Sequence, residues 1–83
     1  MTSVEKTFMR IEQILDRIGV YMEDFDPNYI VGDVILDSLD YISFYIELEK
    51  EFKIEIPDEY YIIDVSEFTF EEFVEKIVSP LVN

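Results

Sequence analysis

Val4, Phe8, Ile11, Leu15 and Ile18 recur at alternating spacings of four and three, and Phe70, Phe73, Val74 and Ile77 repeat that period near the other end. Apolar residues so spaced form a stripe along one face of an α-helix. Such segments bury their stripes against one another. The one alternating stretch, FKIEI at 52–56, has no second clear strand to pair with, so it cannot build a sheet. The expected fold class is therefore all-α: a small bundle of three main helices plus one short helix, forming a single domain over residues 1–83.

The first helix is expected from Val4 to Ile18, with Thr2 and Glu5 as a capping box, Arg17 in the last turn and Gly19 as the stop. Residues 20–36 read as a long loop between helices one and two, turned by Asp26-Pro27-Asn28. Tyr29, Ile30, Val31, Val34, Ile35 and Leu36 are expected to pin it to the core, with a short helical turn inside it. The second helix is expected over Ser38–Phe52. Ile42, Tyr45, Leu48, Glu49 and Phe52 lie along its stripe, and Leu39 and Phe44 sit beside it. Pro57, followed by Asp58 and Glu59, opens a short helix to about Ile63. The last helix is expected over Phe70–Val78, with Thr69 and Glu72 as its capping box and Pro80 closing it.

Charge and residue inventory exclude several functions. Twenty acidic residues against six basic ones leave a net charge of −14, which repels nucleic acid and anionic lipid and favours basic protein surfaces. No run approaches the ~18 apolar residues of a membrane span. MTSVEKTFMRIEQ does not read as a secretory signal, and the lack of cysteine fits a reducing, cytoplasmic setting. Without cysteine there is no thiolate zinc site or thiol nucleophile, and without histidine no Ser-His-Asp triad. Lys6, Lys50, Lys53 and Lys76 map to solvated helix positions, which disfavours a Ser-Lys pair. DFDPNYIVGDVI places Asp24, Asp26 and Asn28 like calcium ligands, but Tyr29 and Ile35 occupy the places that need glycine and a bidentate glutamate. No metal and no catalytic residue is expected.

One serine stands out. Ser38, between Asp37 and Leu39, opens an acidic helix after a loop pinned by apolar residues. Its plainest role is the N-cap, its hydroxyl accepting from a backbone N–H two or three residues on. A helix N-terminus also suits an attached phosphate.

LDSLDYISFYIELEKEFKIEIPDE, residues 36–59, resembles the acyl carrier proteins of fatty acid and polyketide synthesis. The likeness rests on DSLD around Ser38, LEKEF at the end of the second helix and IEIPDE leading into the third. With the flanking helices it covers most of the chain. The resemblance implies a carrier rather than an enzyme, and a monomer. Ser38, flanked by Asp37 and Leu39, would bear a 4′-phosphopantetheine arm attached by a phosphopantetheinyl transferase (holo-acyl-carrier-protein synthase). Acyl intermediates of fatty acid, polyketide or related lipid biosynthesis would ride as thioesters on the arm's thiol.

Further expectations follow from the resemblance. Acyl-loading, ketosynthase or acyltransferase partners would bring basic patches to Asp37, Asp40, Glu49, Glu51 and Glu55, with Leu39 and Ile42 as an apolar spot. By helical facing, Phe44, Tyr45, Leu48, Ile62, Phe73 and Ile77 would line an acyl cavity, narrowed by Phe44 and Tyr45 toward short or flat groups. The chain departs from the family in five places. Ile35 stands where a glycine is usual, Ser43 where an acid is common, and Lys50 and Lys53 where acids are frequent. YYIIDVSEF is longer and more apolar than its usual counterpart. These departures suggest a dedicated pathway carrier. The rival readings are a D-alanyl or aminoacyl carrier, and an acidic helical adaptor with no prosthetic group.

Overall fold

Helix α1, Ser3–Arg17, turns Phe8, Ile11, Ile14 and Leu15 inward. Gly19, at φ +88°, takes the left-handed conformation that ends the helix, and the Val20 N–H closes it on the Leu15 carbonyl at 2.9 Å. The computed structural model describes residues 3–82. The expected Thr2–Glu5 capping pair and the side chain of Val4 lie outside the described part.

The loop after α1 is laced rather than loose. Asp26 accepts the Asn28 N–H at 2.9 Å through its side chain, the turn that Asp26-Pro27-Asn28 leads one to expect. Phe25 wedges between Phe8 and Phe70, with ring centroids 6.2 and 5.1 Å away. A single helical turn, α2 at Val31–Val34, follows. Its backbone is tied to the segment before the last helix: Val31 N–H to Phe68 O at 2.8 Å, Gly32 N–H to Ser66 O at 2.9 Å, and an isolated bridge between Ile30 and Thr69. Of the six expected pins, Val31 and Ile35 are buried and Ile30 and Val34 half-buried, whereas Tyr29 and Leu36 stay exposed. Val31 and Ile35 are four apart and share the inner face of the turn. Ile35 is then extended, which carries Leu36 outward.

Helix α3 runs over Ser38–Phe52 as expected, but Phe44, Tyr45 and Leu48 form its buried face. Ile42 and Leu39 are exposed instead. The helix ends on Lys53, a non-glycine residue in the left-handed region at φ 55°, whose N–H meets the Glu49 carbonyl. FKIEI forms no strand. Ile56 is buried in extended chain, its N–H satisfied by the Glu49 side chain at 2.8 Å. Pro57 caps a 3-10 turn, Asp58–Ile62, none of whose residues is buried.

Helix α4, Phe70–Phe73, starts in the expected capping box: Thr69 Oγ1 accepts the Glu72 N–H and Glu72 Oε1 accepts the Thr69 N–H, both at 3.0 Å. It continues without a break into a π-helical turn, Val74–Val78, closed by Ser79 N–H on the Val74 carbonyl at 2.8 Å. Pro80 stands just beyond, unable to donate to a regular α-helical ladder. Phe70, Phe73, Val74, Ile77 and Val78 complete the core, and no polar side chain is buried whole among the described residues. The result is an all-α bundle of α1, α3 and α4 with a short 3-10 turn between the last two. Among the described residues no helix is long and apolar enough to cross a membrane.

Candidate functional site

Asp37, not Ser38, caps α3. Its backbone is extended (φ −109°, ψ 136°) and its carboxylate accepts the Leu39 N–H at 3.0 Å. Aspartate is as good a cap as serine. With the cap filled, Ser38 becomes the first helical residue, exposed, and its hydroxyl makes no hydrogen bond. The plain capping role expected of Ser38 is therefore taken by its neighbour.

Ser38 stands on the rim of a cleft of about 580 Å³. One wall is Ser38, Tyr41, Ile42 and Tyr45, which follow one another at i, i+3, i+4 and i+7 along one face of α3, with Leu36 beside them. The other wall is Tyr61, Ile63, Asp64, Val65 and Ser66, from the 3-10 turn and the chain after it. Tyr45 and Tyr61 meet across the cleft with ring centroids 5.1 Å apart. Burial, then the neighbouring Tyr41 and Tyr61, push the Tyr45 phenol up to about 12. Burial and the Asp64 carboxylate raise Tyr41; burial, Glu49 and Asp58 raise Tyr61. All three phenols therefore keep their protons at neutral pH. Asp64 is held below the usual carboxylate range by the Ser66 hydroxyl and N–H, both donating to its Oδ1.

Of the six residues expected to line an acyl cavity, only Tyr45 borders this cleft. Phe44, Leu48, Phe73 and Ile77 are closed core, with Phe44 and Phe73 packed at 5.5 Å between centroids. Ile62 faces water at 85% exposure. The reason is rotational. α3 carries apolar residues on more than one face; it turns Phe44 and Leu48 into the bundle and leaves the Ser38 face to the cleft. Phe44 cannot narrow a cleft it does not touch. The face starting at Ser38 could have been found by counting i, i+3, i+4, i+7 from the serine itself.

The expected docking residues divide as well. Asp37, Leu39, Ile42 and Glu55 are exposed and Asp40 is half-exposed. Glu51 is engaged from α1: Arg10 Nε donates to its Oε2 at 2.8 Å and Arg17 Nη2 to its Oε1 at 3.3 Å. Arg10 also donates to the Glu51 carbonyl at 2.6 Å and lies over the Phe52 ring. Glu49 is spent on the Ile56 N–H. Beside Asp37 and Asp40, the surface next to Ser38 also exposes the apolar side chains of Leu36, Leu39 and Ile42.

The Arg10 hydrogen bond, then those of Arg17, hold the Glu51 carboxyl below its usual range. A folded-state pKa below the unfolded one adds stability that is complete above the ordinary glutamate range, ~4.3, and fades as pH falls through the lowered value. Glu51→Gln is expected to cost up to about 1 kcal/mol at neutral pH, because the pair is partly exposed to solvent. Melting curves of both chains against pH check this: the gap should close below about pH 4, and a gap that widens there contradicts it.

No family model matches the chain, and no solved structure matches it.

Proposed function

We propose that the chain is an acyl carrier whose Ser38 hydroxyl is the attachment point for a 4′-phosphopantetheine arm. One observation carries the reading: an exposed serine hydroxyl, relieved of capping by Asp37, opens α3 on the rim of an apolar cleft. The residues present fit such a group. The oxygen is free to bond, the helix N-terminus favours a phosphate, and the cleft runs along the helix face that starts at Ser38. When bound, the arm supplies a thiol that holds an acyl group as a thioester, so the chain needs no cysteine. Attachment forms one Ser38 Oγ–P bond, breaks the pyrophosphate P–O bond of coenzyme A so that adenosine 3′,5′-bisphosphate leaves, and gives up the hydroxyl proton to a base. As the resemblance to carrier proteins implies, the base that takes the proton belongs to the transferase.

In this reading the chain's own residues orient and shelter while partner enzymes react. Asp37 fixes the helix start, which sets the direction of the Ser38 oxygen. The cleft keeps water from part of whatever is tethered. Net charge steers a basic partner toward the domain, and the exposed Leu36, Leu39 and Ile42 form the contact spot around the arm. Glu49 and Glu51 act within the fold rather than across that contact.

Incubation with coenzyme A and a permissive phosphopantetheinyl transferase is expected to add one arm, read as intact mass. Ser38→Ala should take up none and, because the hydroxyl makes no bond, should melt within about 0.5 kcal/mol of the parent. The exposed apolar spot would equally serve an adaptor that buries it against another protein. Such an adaptor keeps its mass under the same treatment. A D-alanyl or aminoacyl carrier gains the arm and differs only in the group loaded afterwards.

A further inference from the structure

The chain that follows α1 folds back along it and leaves a second groove, of about 340 Å³, which shares no residue with the cleft at Ser38. Its floor is apolar: Leu15 is buried, and Val20 and Met22 are half-buried against the core. Glu12, Asp16 and Glu23 stand on its rim, all exposed, and Tyr21 beside them keeps 81% of its surface in water. Acids alone single out nothing on a chain with twenty of them. What sets this groove apart is an apolar floor under carboxylates that the fold does not spend. Glu12, Asp16 and Glu23 enter no ion pair among the described residues, and Arg17, next to Asp16 in sequence, is turned onto Glu47 and Glu51 at 3.0 and 3.3 Å. The cleft at Ser38 has a single carboxylate, Asp64, which Ser66 already holds. A further groove, bounded by Phe52 and Val78, carries the cations Lys6 and Arg10 instead.

We infer that the groove beside α1 is a docking surface for a basic segment of a partner protein, which lays an arginine or lysine stem over Val20 and Met22 and sets its charge among Glu12, Asp16 and Glu23. Long basic side chains bury their methylene stems on apolar surface while the charged head stays in water and near anions. The exposed Tyr21 ring offers the same cation a face. The volume is at the small end for a ligand pocket, so it takes a side chain rather than a cofactor. The surface is separate from the Ser38 face and does not depend on what that serine bears. It gives the net charge of −14 a specific place to hold what it steers in.

The probe is the acetylated, amidated peptide LRALR, with its citrulline analogue as the neutral counterpart. Each is titrated into the unmodified full chain at low salt and followed by backbone-amide NMR. Shifts are expected to centre on residues 12–23, and the citrulline peptide should cause none of them at the same concentration. Glu12→Gln/Asp16→Gln should weaken the arginine peptide about fivefold, and Tyr21→Ser about threefold. Glu71→Gln/Glu75→Gln is the control. It removes the same charge from another exposed pair four residues apart, and should weaken binding by less than about twofold. All these side chains are exposed, so melting temperatures should stay close to the parent's, which separates lost docking from lost fold. Equal losses in the two double variants, shifts centred on another surface, a citrulline peptide that binds as well, or no binding at all overturns the inference. Ser38→Ala should bind like the parent. A chain that accepts no arm yet passes this test therefore loses the carrier reading and keeps this surface.

Discussion

Phe44→Ala is expected to unfold about half of the molecules at room temperature. Phe44 is fully buried, packed at a tilt against Phe73 and Tyr45 with centroids 5.5 and 6.4 Å away, where α3 meets α4. Truncating a buried phenylalanine costs about 3–5 kcal/mol, and a domain of this size has about 3–5 kcal/mol to lose. The two quantities are equal within their spread, so the folded population falls to about half. Far-ultraviolet circular dichroism with thermal melting reads the outcome. Ile62→Ala is the matched control. It removes a large apolar side chain from a neighbouring element, but that side chain faces water, so it should shift stability by no more than about 0.5 kcal/mol. If the two substitutions cost alike, the facing of α3 described above is wrong.

Gly32→Ala should be nearly as damaging for a different reason. A Cβ at this position would stand 2.6 Å from the backbone oxygen of Ser66 and 3.0 Å from its Cβ. That oxygen cannot swing aside, because it accepts the Gly32 N–H at 2.9 Å. The neighbouring bond from Val31 to Phe68 holds the same two stretches together. Inserting the methyl forces α2 away from residues 64–68. We expect a loss of about 2–3 kcal/mol, equivalent to a fall in melting temperature of roughly 10–20 °C for a domain of this size. Val65 and Ser66 belong to one wall of the cleft. The tyrosine ring resonances should therefore move even at temperatures where the variant is folded. A variant that melts within a degree or two of the parent, with those resonances unmoved, would show that the approach is looser than described.

The local rules account for why the helices could be read ahead of the structure. Thr69 and Glu72 form both bonds of their capping box, Gly19 takes the positive φ that stops α1, and α3 spans Ser38–Phe52. These features depend on neighbours within a few residues in the chain. The site depends on how helices rotate against each other, which a stripe specifies only when it is narrow. α1 has one such stripe. α3 does not: Leu39, Ile42 and Ile46 lie outside while Phe44, Tyr45 and Leu48 lie inside. Its period announces a helix without saying which face is buried. The fate of Glu49 and Glu51 was hidden for a related reason. An acid on a helix reads as solvated until the partner helix is in place, and here Arg10, Arg17 and the Ile56 N–H claim those carboxylates. The segment Tyr60–Ile63, apolar at every position, carries no period at all, so its role as a cleft wall emerges only from the folded chain.

The shift from the closed core to the Ser38 face changes what the carrier reading asks of the protein. The core between Phe44, Leu48, Phe73 and Ile77 is filled by its own side chains. On that reading, shelter for a tethered group would lie instead in the open cleft beside Ser38, and access would need no separation of helices.

Peptide-level mass spectrometry of the chain coexpressed with a phosphopantetheinyl transferase tests the central claim most directly. The account predicts a phosphopantetheine-sized addition on the peptide containing Ser38, localised by fragmentation to that hydroxyl and absent from Ser43 and Ser66. A folded chain that emerges unmodified beside a carrier modified by the same enzyme, or one that bears the addition at another hydroxyl, contradicts it.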